Sequence, residues 1–320
     1  MSEYSFRVVL ADEIAPEGVR LLEQTERLQV DDRAGISAPE LVSVIGGYDA
    51  LIVRSRTKVT AEILEAGDRL KVVGRAGVGV DNIDVDAARR RGIRVLNAQS
   101  GNVISAAEHT LALMLALVRH IPQADASLRR GEWERSRFRG IELHGKTLGL
   151  LGAGRIGSEV ARRAAAFGMQ VVVYDPYLSV ERAREVGAEL TTLADLLERA
   201  DLITVHVPLT DETRGLIGAE AIAAMKPTAY LINAARGGVV DEMALAAALE
   251  SGKLAGAALD VFEEEPVRAD HPLLSLENVV AVPHLGAATK EAQANSGLEI
   301  CKAVRDALIA SDTRSAVNVS

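Results

Sequence analysis

Short runs of Val, Ile and Leu alternate along this chain with segments of helical period, and that alternation decides the fold class before any single residue is considered. Val8 to Ala11 precedes a helical pattern over Gly18 to Thr25, Ala50 to Val53 precedes Ala61 to Ala66, and Lys71 to Gly74 precedes Val85 to Arg91 and then Ile93 to Asn97. Strands that are apolar throughout are buried on both faces, and intervening helices make them parallel. A second, longer alternation opens with Thr147 to Leu151 and closes with Val279 to Val282. Between the two, Gly101 to His120 has a helical pattern that Pro122 is expected to close, and the last helical pattern, Ala288 to Ile309, is expected to cross back to the first lobe. The expected architecture is α/β with two doubly wound parallel-sheet domains, a discontinuous one over 1–98 and 288–320 and a second over 99–287.

Composition narrows the class of partner. A length of 320 residues suits two domains at about 150 residues each. With 36 Lys and Arg against 45 Asp and Glu, the net charge of −9 repels polyanions, so neither nucleic acid nor a membrane surface is expected as a partner. Cys301 is the one cysteine, which leaves no internal disulfide and no cysteine cluster for zinc, and no metal is expected. The N-terminus does not read as a signal peptide, and the longest apolar stretch, Leu111 to Val118, is far short of the ~20 residues that span a bilayer. A cytoplasmic location is expected.

The most specific local signal is a glycine loop between a strand and a helix. Gly152, Gly154 and Gly157, with Arg155 and Ile156 among them, follow the apolar run ending at Leu151 and precede SEVARRAAAFG. In that context the first glycine permits a tight turn, the second lets backbone approach a pyrophosphate, and the third allows close packing, while the helix N-terminus offers free N–H groups to the anion. Asp175 ends the next strand, eighteen positions beyond Gly157, where a carboxylate binds ribose hydroxyls and repels a 2′-phosphate. This reads as a Rossmann-type site for NAD rather than NADP.

Three further groups stand at the ends of predicted strands: Arg236 in INAARGGVVDE, Glu265 in LDVFEEEP and His284 in VAVPHLGA. Singly, each has an ordinary structural reading. Together they supply what hydride removal from a hydroxy acid requires: an imidazole to take the hydroxyl proton, a carboxylate to orient it, and a guanidinium to clamp the substrate carboxylate.

The motifs VRSRTKVT, GRAGVGVDNID, GNVISAAEHT, GEWERSRFRGIELHGKTLGLLGAGRIG, NAARGGVVDEMALAAAL, AGAALDVFEEEP and PHLGAATKEAQ, in this order, resemble the D-isomer-specific 2-hydroxyacid dehydrogenases over nearly the whole chain. The resemblance implies an Arg236, Glu265 and His284 triad in a cleft between a flavodoxin-like substrate domain and the cofactor domain. It implies oxidation of the C2 alcohol of 3-phospho-D-glycerate, with glyoxylate/hydroxypyruvate reduction as the same-class alternative. An NAD-sensing, corepressor-like binding protein is the alternative of another class. Cofactor positions on this basis are the glycine loop, Asp175, Pro208, Thr213, Ala234, Ala235, Asp260, Gly286 and Ala287, with Asp260 facing the nicotinamide amide. Substrate positions are Arg54, Arg75, Gly77, Asn102, Arg135, Arg236 and His284, with Arg135 reaching in from a partner subunit of a homodimer or tetramer. Arg56, Arg137 and Arg139 are basic neighbours with no role assigned. Val78 stands where some relatives have Thr, so a hydroxyl contact to cofactor is missing there. The chain also stops where longer relatives continue into regulatory domains, so feedback by serine is not expected.

Overall fold

The computed structural model describes residues 6–312 and 316–318. It divides into two compact units, one made of the residues up to Asn102 with those from Ala287 onward, the other of Val103–Gly286.

The first unit carries five parallel strands, β1 (Phe6–Leu10), β2 (Leu28–Asp32), β3 (Ala50–Val53), β4 (Val72–Arg75) and β5 (Arg94–Asn97), in the order β2-β1-β3-β4-β5. Val8, Leu10, Leu51, Ile52 and Val73 are wholly buried, each worth about 1.5–3 kcal/mol of transfer free energy. The helix Lys290–Ile309 covers one face of this sheet, placing Ile300, Cys301 and Val304 in the core beside Leu10, Ile52 and Val72. Gly74 makes that approach close, since a Cβ there would stand 2.6 Å from Val304. Residues 99–101, expected to open the second domain, are fastened to this unit: Glu299 accepts from the Gln99 and Ser100 amides, and Gly101 packs on Ser296.

The second unit carries seven parallel strands: β6 (Thr147–Leu151), β7 (Gln170–Tyr174), β8 (Glu189–Leu190), β9 (Leu202–Val205), β10 (Tyr230–Asn233), β11 (Gly256–Leu259) and β12 (Val279–Ala281). Their order is β12-β11-β10-β9-β6-β7-β8. The chain order reverses beside β6, and ligands of open α/β sheets gather at the carboxyl ends of strands at such a switch point. Among the described residues no single helix is long and apolar enough to cross a membrane. The bent pair Val103–Val118 and Ile121–Arg129 passes only when its members are taken together, and the first of them buries Ala107, Leu111, Leu113 and Met114 in the core.

Two readings of local structure are corrected. Pro122 does not end the long helix. That helix stops at Val118, His120 turns through a left-handed φ of 53°, and Pro122 lies in the first turn of a second helix, Ile121–Arg129, where a missing N–H costs nothing. The strand β2 carries no continuous apolar run, because it is an edge strand with the sequence LQVDD, only partly buried, and the helix Ala38–Val44 that follows it likewise goes beyond the alternation expected.

Candidate active site

Register brings the candidate segments of the second unit to one edge. Leu151 pairs with Val205, Val205 with Asn233, Asn233 with Leu259 and Leu259 with Ala281, so the loops that follow these strands emerge side by side.

The three glycines of the first loop do different work. Gly152 has φ +88° and lies against Val207 and the His206 carbonyl. At Gly157 a Cβ would stand 2.2 Å from the Gly152 carbonyl oxygen, so only hydrogen fits between turn and helix. Gly154 is exposed, and a Cβ there would meet no protein atom within 4 Å. No side chain caps the twelve-residue helix Arg155–Ala166 that begins at this point, so its first amides and positive dipole end open onto the space beside Gly154. The chain's own packing accounts for two of the glycines; the third leaves room for an anion. Arg155 is exposed and Ile156 partly buried at the mouth of that space.

Asp175 follows β7 with both carboxylate oxygens oriented, Oδ2 accepting from the Ala153 amide and Oδ1 from the Tyr177 amide, each at 3.0 Å. Each oxygen keeps lone-pair capacity for a hydroxyl donor. Beyond β9, the Thr213 hydroxyl donates to the Pro208 carbonyl at 2.6 Å and so closes the loop between them. His206, beneath the glycine turn, is pulled down by burial to about 4, and its Nε2 lies 3.0 Å from the Thr204 hydroxyl. These residues fit a dinucleotide with a ribose at Asp175 and a pyrophosphate at Gly154.

The triad residues converge. Asn233, buried at the end of β10, donates to the Arg236 carbonyl at 2.9 Å and accepts from the Ala235 amide at 3.1 Å, stapling the turn that holds Ala234, Ala235 and Arg236. At Gly237 a Cβ would stand 1.8 Å from the Phe262 carbonyl oxygen, so glycine here lets the Arg236 turn lie directly on the segment leading to Glu265. That segment is held from below, where buried Glu242 accepts from the Glu263 amide at 2.6 Å and pairs with His271 at 2.9 Å. Glu265 accepts from the Phe262 amide at 3.2 Å and meets His284 Nδ1 with its other oxygen at 2.8 Å.

Electrostatics follow from this geometry. The hydrogen bond that Glu265 accepts from the ring raises the His284 imidazole above its ordinary value against the effect of burial; the charges of Glu265 and Asp260 add to the rise and Arg236 opposes it. For Glu265, burial pushes the carboxyl up, but the bond to His284 and its charge outweigh burial and leave it below its ordinary value. Nδ1 being engaged, Nε2 of His284 is the nitrogen left for substrate. His284 holds a left-handed φ of 53°, a conformation fixed by its amide donating to the Asp260 carbonyl at 2.8 Å.

Asp260 has an occupation the sequence did not reveal. Its buried carboxylate accepts from the Leu285 amide at 2.6 Å and the Gly286 amide at 2.9 Å, and lies 3.0 Å from His109 Nε2. Burial pushes this carboxyl up, and these partners together hold it down. At 1% exposed, Asp260 is built into the floor of the His284 loop. Ala287 belongs to the first unit. His109 was not singled out because one His on a helix of apolar period carries no distinguishing signal.

In the first unit, Arg54 follows β3 and Arg75 ends β4, with Gly77 just beyond. Asn102 is partly buried with an unpartnered Oδ1. Arg135 lies on an exposed loop of the second unit. Arg56 bonds the Gly35 carbonyl, and Arg137 pairs with Glu277 and Glu134, which gives both structural employment. Among the described residues no group of three or more His, Cys, Asp or Glu could hold a metal ion.

The family described as D-isomer specific 2-hydroxyacid dehydrogenase, NAD binding domain, matches residues 111–286. The D-3-phosphoglycerate dehydrogenase of Mycobacterium bovis is 53% identical over 98% of this chain and 58% of its own length. That of Synechocystis is 50% identical over 98% of this chain and 56% of its own. A crystal structure of a glyoxylate reductase from Paecilomyes thermophila, 31% identical, matches with a TM-score of 0.88 over 98% of each chain. The chain therefore spans less than two thirds of the length of these curated relatives. It belongs to the D-isomer specific 2-hydroxyacid dehydrogenases, and residues 111–286 carry their NAD-binding domain.

Proposed function

We propose that the chain oxidises the C2 hydroxyl of 3-phospho-D-glycerate to 3-phosphohydroxypyruvate, as D-3-phosphoglycerate dehydrogenases do. The observation that carries the chemistry is the 2.8 Å contact of His284 Nδ1 with Glu265 on a loop packed against the Arg236 turn. The likeness to curated enzymes of that name supports the substrate. Bound NAD supplies the acceptor for the two electrons and hydrogen that leave C2. His284 Nε2 takes the hydroxyl proton, Glu265 holds the ring and stabilises the imidazolium so formed, and Arg236 binds the substrate carboxylate through paired donors. Arg54 and Arg75 supply positive charge for the phosphate, and Gly77 and Asn102 are further substrate positions. The first unit acts as the substrate domain and the second, Val103–Gly286, as the cofactor domain.

Ile104, Ile121, Leu128 and Trp133 are exposed apolar side chains on the helices Val103–Val118 and Ile121–Arg129 and the loop after them, Trp133 at 78%. They support a homodimer formed through the second unit, with Arg135 offered to the partner's substrate.

The deciding assay follows NADH absorbance with 3-phospho-D-glycerate plus NAD and with 3-phosphohydroxypyruvate plus NADH, against glycerate, hydroxypyruvate and glyoxylate. Preference for the unphosphorylated acids would establish the second reading, a glyoxylate/hydroxypyruvate reductase, which the glyoxylate reductase structure favours. Cofactor binding without turnover of any hydroxy acid would identify an NAD-sensing binding protein instead.

Asp175→Ala removes a carboxylate held at both oxygens, so KM for NAD should rise about 10- to 100-fold, the range of a charge-assisted hydrogen bond, while NADP is used better. An unchanged NAD to NADP ratio would remove Asp175 from the ribose site. Glu265→Gln should shift the pH profile. Oxidation needs neutral His284, so kcat/KM rises with pH through an imidazole pKa that Glu265 holds above its ordinary value. Removing that carboxylate moves the acid limb to lower pH and lowers the plateau, and the reduction direction loses activity at correspondingly lower pH. A limb that stays in place would mean His284 is not the titrating group.

A further inference from the structure

The phosphate-end arginines share one support. Asn82 lies between them, and its amide is fully committed: Nδ2 donates to the Arg54 carbonyl at 2.7 Å and the Thr57 carbonyl at 2.6 Å, and Oδ1 accepts from Arg75 Nε at 3.1 Å. Two carbonyls on one side and an N–H on the other fix which end of the amide is which. The same turn is held from its other side by buried Asp12, which accepts from the Arg54 and Thr57 amides at 2.6 and 3.2 Å and from the Thr57 hydroxyl at 2.7 Å. The Arg54 backbone is thus clamped at both its amide and its carbonyl. Among the described residues the Arg54 guanidinium has no ion-pair partner, whereas Arg20, Arg33, Arg89, Arg129 and Arg199 each pair with a carboxylate. Arg75 spends Nε on Asn82, and its Nη1 lies over Gly77, where a Cβ would stand 2.3 Å from it. Its planar guanidinium is the charge geometry that suits a phosphate or carboxylate.

We propose that Asn82 is a positioning residue for anion selection: one amide sets the Arg54 backbone and the Arg75 guanidinium in a fixed relation, and that relation discriminates a substrate with a second anionic group from one without. This rests on the phosphorylated-substrate reading above. It requires the amide itself, because alanine releases the Arg54 carbonyl and the Arg75 Nε together, and aspartate keeps an acceptor for Arg75 but turns oxygen toward the two carbonyls.

The test compares wild type with Asn82→Ala, Asn82→Asp and Arg54→Ala, reading kcat and KM for 3-phosphohydroxypyruvate and for hydroxypyruvate with NADH, and the inhibition constant of inorganic phosphate. Asn82→Ala should lower the ratio of kcat/KM for phosphorylated over unphosphorylated substrate about ten-fold or more, mainly through KM, and weaken phosphate inhibition in step. Asn82→Asp should lower the ratio as well, and it carries the test if the alanine variant does not fold. If both substrates fall equally, or the KM for NADH moves as far as that for substrate, Asn82 is merely structural and the proposal fails. If Arg54→Ala lowers the ratio while neither Asn82 variant does, the proposal fails but the phosphate reading stands. If Arg54→Ala itself leaves the ratio unchanged, the phosphate reading fails.

Discussion

His284→Gln should bind NAD as wild type does and lose turnover by about 10²- to 10⁴-fold in both directions, the range that a positioned general acid–base supplies. Glutamine keeps a side-chain donor near Glu265 but offers no group that can take up a proton near neutral pH. Its effect therefore belongs to kcat, and NADH fluorescence titration should show an unaltered dissociation constant. The residue is half-exposed, and its place is set by backbone bonds to Asp260, so the substitution leaves the loop standing. Turnover within a few-fold of wild type would take proton transfer away from position 284.

Arg236→Ala should be nearly as damaging, and differently so. A bidentate guanidinium–carboxylate contact in a partly enclosed site is worth several kcal/mol when one partner is removed, so kcat/KM should fall about 10³-fold, with KM carrying a large part. Arg236→Lys should recover little, since an ammonium presents no fork. Loss of the Arg236 charge also removes the influence that opposes protonation of His284, so the acid limb of oxidation should move to higher pH, opposite to Glu265→Gln. Equal KM values for wild type and Arg236→Ala would show that the substrate carboxylate is held elsewhere.

Much of this was legible in the chain. Periodicity sufficed for the buried strands, because β3, β6 and β9 are apolar at nearly every position, and it failed at β2, whose partial burial tolerates LQVDD. The chemically loud residues, Arg236, Glu265 and His284, could be proposed from types and places at strand ends, and the structure brings Glu265 and His284 into contact. Their supports were silent. Asn82, His109, Asn233 and Glu242 act through polar contacts with backbone or with another side chain, and a lone polar residue in a row of letters does not say what lies opposite. The Asp260 carboxylate illustrates the difference: its position was readable, but its bonds to residues 285 and 286 come from tertiary closure.

The close approach at Gly237, where a Cβ would stand 1.8 Å from the Phe262 carbonyl oxygen, has a mechanical meaning. With no side chain to separate them, the turn bearing the guanidinium and the strip bearing the carboxylate form one seam of main chain. Neither can be retuned alone: an insertion or a bulkier residue on one side displaces the acid that orients the base, and what reads as two distant motifs must drift through evolution as one.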